Sequence, residues 1–209
     1  MCTVKNKNKI AIIYAKSFDF FSHLWYNILG KKIFKLLKNE GREMFSIGEK
    51  IVYPLHGAGI VEAIEQKEIL GKKKKYYVMR VYSGNMTVLI PVDNCEEIGV
   101  RQVIDKTEAK KVVEYFKTEP LYDDDNWNRR QRENMVKLKS GDIYKVLDVL
   151  KDLLYRDKLK GLSTSERKAL VNARQIIVSE LVMSGFAGAE DIELIMDSII
   201  DGLIKSEKG

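Results

Sequence analysis

Cysteine is nearly absent from this chain. Cys2 and Cys95 are the two in 209 residues, too few for a disulfide framework or a structural zinc site, and they point to a reducing, cytoplasmic setting. Histidine is as scarce: beyond Met44 only His56 remains. No Ser/His/Asp set, no His/Cys metal cluster and no phosphate-binding glycine loop can be assembled there, so the sequence argues against an enzyme and requires no cofactor or metal. His56 reads as a turn residue bonded locally, and Cys95 as a buried or half-buried thiol. Three prolines and fourteen glycines leave little room for long flexible linkers. No apolar run reaches the roughly 20 residues of a membrane span, so no membrane partner is expected.

A uniformly basic surface is also missing. The net charge of +6 resides entirely in residues 1–43, where nine basic residues face three acidic ones; from Met44 onward 27 basic residues balance 27 acidic ones. DNA binding by the main body must therefore rest on local clustering rather than bulk charge.

Residues 1–43 mix Lys/Asn repeats with an apolar run, Ile10 to Ala15, and an aromatic run, Phe18 to Tyr26. One reading is a basic amphipathic anchor on anionic lipid. The other is that they lie outside the working protein, through a start codon assigned too far upstream. Lys38 to Glu43 can be encoded by AAA-AAT-GAA-GGG-AGA-GAA, a purine-rich stretch resembling a ribosome-binding site just before the Met44 codon. The N-terminal extension is accordingly expected to be non-native or disordered.

After Met44 the pattern divides in two. Ile51–Tyr53, Gly59–Ile64, Lys75–Val81 and Met86–Pro91 read as short strands, separated by turns at Pro54–Gly57, Gly71–Lys74 and Ser83–Asn85. Strands this short leave edges unless closed, which predicts a small SH3-like barrel over 44–103. Near Asp105 the apolar period changes from two to about 3.6, and 104–209 reads as helices. Thr107 is the candidate N-cap of the first, Asn126 begins the second beside Asp123–Asp125, Asp142 caps a third, and Ser163 with Glu166 forms a capping box for a fourth. A last amphipathic helix covers Asp191 to Ile204. The fold class is α+β with two domains.

The segment Asn126 to Glu133 carries the clearest chemistry. Trp127 is the one tryptophan after Met44 and begins a helix, and 126–140 holds Arg129, Arg130, Arg132, Lys137 and Lys139 against Glu133. A core tryptophan on a solvated basic helix is one reading. The other is an interface in which arginines meet phosphates while the indole meets a base.

These residues match a family. Gly48 through Gly59, Asn126-Trp127-Asn128-Arg129-Arg130, Leu138 through Asp142, and Leu162-Ser163 through Ile176 occur in the order found in the CarD/CdnL group of bacterial transcription regulators. Met44 to about Ser206 resembles that group along its length. The resemblance implies an N-terminal Tudor-like domain bound to the RNA polymerase β subunit in the holoenzyme, and a helical domain on promoter DNA, together stabilising the open complex. It implies Trp127 as a minor-groove wedge at the upstream edge of the transcription bubble, with Arg129, Arg130 and Arg132 on the neighbouring backbone. It also implies polymerase contacts at Lys67 and Ile69, with Leu89 where many members carry arginine, and a monomer that meets the nucleoid through polymerase. The alternatives are a Tudor/SH3-like protein-interaction adaptor without a DNA role, and the polymerase-binding module of transcription-repair coupling ATPases, whose helicase motifs are not found.

Overall fold

The computed structural model describes residues 43–69, 71–84, 86–118 and 126–207. The readings made for residues 1–42, Pro120 and Asp123–Asp125 lie outside the described residues. Residues from Glu43 onward form a unit of their own.

Five strands make one antiparallel sheet: β1 (Lys50–Tyr53), β2 (Gly57–Ile69), β3 (Lys72–Val81), β4 (Thr87–Pro91) and β5 (Arg101–Gln102), in the order β4-β3-β2-β1-β5. Alternation sends Tyr77, Met79 and Val81 of β3, with Ile90 of β4, into one apolar cluster. Val61 and Ile64 of β2 both reach that side because the register shifts between Val61 and Ala63; the extra residue, Glu62, reverses the facing of the rest of the strand.

The expected barrel is not closed. β4 and β5 stand at opposite edges with no ladder between them. The chain between them turns through a 3-10 segment (Val92–Asn94) and a short helix, α1 (Cys95–Ile98), leaving only two residues for β5. Val92 and Cys95 from this insert enter the sheet's core. The Cys95 thiol donates to the Pro91 carbonyl at 3.1 Å, and burial pushes its pKa up to about 11, which makes it a structural thiol. The β2–β3 hairpin is also longer than its apolar pattern suggested, with β2 running to Ile69. Its outer end is held by charged cross-strand neighbours such as Glu68 opposite Lys73, which require water rather than a core.

Five further helices complete the chain: α2 (Lys106–Phe116), α3 (Trp127–Lys139), α4 (Ile143–Leu159), α5 (Thr164–Met183) and α6 (Ala189–Glu207). Asp105, not Thr107, caps α2: its extended backbone lets the carboxylate accept from Glu108 N at 2.8 Å. Asp142 caps α4, and the capping box of Ser163 and Glu166 opens α5 as expected. The long apolar stripe of α4, including Leu147, Leu150 and Leu153, forms the centre of a second core with Ala109, Phe116, Ile177 and Ile200.

Sheet and helices are joined along α5. Ser179 Oγ accepts from Ala58 N at 2.9 Å, Gln175 Nε2 donates to the His56 carbonyl at 3.2 Å, and Lys50 Nζ donates to the Met183 carbonyl at 2.9 Å. The Pro54–Gly57 turn is shaped for this junction. Leu55 adopts φ 68°, unusual for a branched side chain, and packs against the helical core. A Cβ on Gly57 would lie 2.6 Å from Ser179 Oγ, so only glycine lets the turn approach α5 this closely. Beneath it, Arg101 of β5 grips Glu180 of α5 with two nitrogens, and its Nε donates to the Gly141 carbonyl.

Candidate functional site

Two surfaces hold the residues singled out in the sequence. The first is the start of α3. Asn126 caps it, its side chain accepting from Arg129 N at 3.3 Å, so Trp127 is the first helical residue. The indole is 43% exposed, which removes the reading as a core tryptophan. Its Nε1–H donates to Ser163 Oγ at 3.3 Å, across a separation of 36 residues.

The three arginines divide. Arg132 is exposed, and Arg129 pairs on the surface with Glu133 at 2.9 Å, both side chains about half open to water. Exposed pairs of this kind are weak and readily exchanged. Arg129, Arg132, Glu133, Val136 and Lys137 line one shallow groove along α3. Arg130 turns inward instead. Its guanidinium, 13% exposed, meets Glu166 Oε1 at 2.6 Å from one nitrogen and 3.1 Å from Nε. Burial alone would raise the Glu166 carboxyl; hydrogen bonds from Ser163 and Arg130 outweigh it and hold the group below its ordinary range. The spacing that grouped Arg130 with its neighbours did not reveal this, because its partner lies 36 residues away on another helix.

The second surface is the outward face of the sheet. The register sets Val78 opposite both Ala63 and Leu89, and Lys74 opposite Lys67. Residues at even positions of β3 face away from the core, so Lys67, Ile69 and Leu89 share one face with Val78. Ile69 is 47% and Leu89 37% exposed. Lys67 pairs with Glu65 at 3.1 Å, leaving both heads at the surface. Beyond Val61, β2 has no partner on its β1 side among the described residues, since β1 pairs only with Gly57–Ile60. This segment of β2 is an open edge beside the patch.

Among the described residues no group of His, Cys, Asp or Glu is arranged to hold a metal ion, and no helix is long and apolar enough to cross a membrane.

Residues 45–104 match the CarD-like/TRCF RID domain family, and residues 111–197 match the CarD C-terminal domain family. The candidate transcription factor YdeB of Bacillus subtilis (strain 168) is 42% identical over 138 residues, covering 66% of this chain and 90% of that protein. An open sheet carrying an exposed face is joined through α5 to a helical lobe that displays a basic helix. The chain belongs to the CarD/CdnL family.

Proposed function

We propose that this protein is a transcription regulator that docks on the RNA polymerase β subunit through the outward sheet face and sets Trp127 against promoter DNA at the upstream edge of the bubble. The observation that carries the reading is the half-exposed indole at the first turn of α3, next to Arg129 and Arg132. A large apolar side chain left in water beside cations suits minor-groove insertion, where unstacking costs least at a duplex already opening. A body with no net charge beyond Met44 has little non-specific affinity for DNA. Docking on polymerase would compensate by raising the effective concentration of α3 at the fork. Leu89, Ile69 and Val78 supply an apolar centre for that docking, and Lys67 a charged rim. A protein acting in this way is not an enzyme, works as a monomer beside the holoenzyme, and lengthens the life of the open complex.

Anisotropy titrations of the labelled protein against a β-subunit fragment, fork DNA and a holoenzyme–promoter complex test the reading. Binding to the β fragment, together with a DNA contribution that appears in the holoenzyme complex and disappears in Trp127→Ala, is the expected result. Binding to the β fragment with no DNA contribution would instead support an interaction adaptor.

A further inference from the structure

We infer that Ser163 and Glu166, at the N-terminus of α5, are positioning residues for Trp127, a role that rests on the wedge reading above. A continuous chain of side-chain hydrogen bonds links the three. Trp127 Nε1–H donates to Ser163 Oγ at 3.3 Å, the Ser163 hydroxyl donates to Glu166 Oε2 at 2.7 Å, and the other oxygen of Glu166 receives Arg130 at 2.6 Å. Both ends of the chain belong to the first turn of α3, and the middle members are the N-cap and a first-turn residue of α5.

This arrangement holds the indole from two directions. Ser163 fixes the edge of the ring directly. The Arg130–Glu166 pair, largely shielded from water, fixes the helical turn that carries it. The remaining described side chains of that turn, Asn128 and Arg129, are exposed, and the hydrogen bond to Ser163 holds the polar edge of the ring. A half-exposed tryptophan without an anchor would sample several rotamers, and ordering it at the DNA would cost conformational entropy at that moment. An indole already directed by Ser163 has met that cost in the folded protein.

The capping box provides variants that separate positioning from folding. Glycine at an N-cap costs only a few tenths of a kcal/mol, so Ser163→Gly removes the indole's acceptor with little loss of helix stability. Glutamine serves in a capping box as glutamate does, so Glu166→Gln removes the ion pair and keeps the cap. Ser163→Thr restores the hydroxyl.

The experiment uses the full chain carrying Trp25→Phe, so that Trp127 is its one indole, and reads time-resolved indole anisotropy together with open-complex half-life on one promoter. Ser163→Gly is expected to release fast indole motion and shorten the half-life about two- to tenfold, the span set by the net worth of one hydrogen bond. Ser163→Thr should restore both, Glu166→Gln should act in the same direction as Ser163→Gly, and β-fragment affinity should be unaltered throughout. Indole motion unchanged in Ser163→Gly overturns the positioning role. So does a normal half-life with a freed indole, provided Trp127→Ala shortens the half-life. A Trp127→Ala variant with normal half-life marks a different failure, that of the wedge reading itself, and Ser163 then has no wedge to position.

Discussion

The guanidinium of Arg101 closes on both oxygens of the Glu180 carboxylate, and Glu180 is fully buried. The pair joins the last strand of the sheet to the last turn of α5, and Glu180 Oε1 also accepts from Ile104 N at 3.3 Å. It thereby ties the sheet to α5, the helix whose first residues also bond the start of α3.

Removing one member of a buried pair leaves the other charge uncompensated, at a typical cost of about 3–5 kcal/mol. Arg101→Ala should therefore lower the denaturant midpoint strongly, with sheet and helix signals lost at the same concentration. Urea titrations followed by tyrosine fluorescence and by helical circular dichroism check this. Separate midpoints would show that the two lobes unfold independently.

Trp127→Ala should lower the melting temperature far less than loss of a core tryptophan would, since the residue is 43% exposed. Open-complex half-life should nevertheless fall. A buried tryptophan would behave in the opposite way, with about 3–5 kcal/mol lost on truncation. Calorimetry and promoter kinetics on the same preparation decide between them.

Arg129 and Arg132, but not Arg130, should account for the salt dependence of DNA binding. Replacing both should lower the log–log salt slope by roughly 1.8 units, at about 0.9 per phosphate on duplex. Arg130→Ala should leave that slope largely intact and reduce stability instead, because it strands a carboxylate on the buried Glu166. Titrations across a series of salt concentrations, paired with melts, separate the two classes.

Glu166 predicts an acid limb. Its carboxyl is held below the ordinary 4.5 in the folded protein, so the folded state favours the ionised form. That contribution is fully present above the unfolded value and is lost as pH falls through the folded one. The stability difference between wild type and Glu166→Gln should be largest near neutrality and shrink below pH about 4.5. Melting curves of the two proteins across that interval provide the measurement.

Charge reversal at Lys67 should weaken binding to the β-subunit fragment without unfolding the sheet. Lys67 lies on the hairpin end with its side chain 41% exposed, beside the open β2 edge. Equal affinity of Lys67→Glu and wild type, with unchanged circular dichroism, would remove this edge from the proposed docking surface.

Much of this protein was determined by its residues read in order. Apolar spacing of two and then of 3.6 marked strands ahead of the long helices, though not the helical turns at Val92–Ile98, and short polar signals located Asn126, Asp142 and the Ser163–Glu166 box, because caps and turns are set by neighbours within four residues. Trp127 and its arginines were legible for the same reason, as a cluster within the first two turns of one helix. Features beyond that reach were decided only by the tertiary structure. The sheet stayed open because the chain between β4 and β5 coiled into Val92–Ile98, where packing of Val92 and Cys95 outweighed strand pairing. The Pro54–Gly57 turn proved to be a junction with α5, and Arg130 an internal strut, because their partners stand more than 30 residues away, at distances where spacing in sequence carries no information about contact in space.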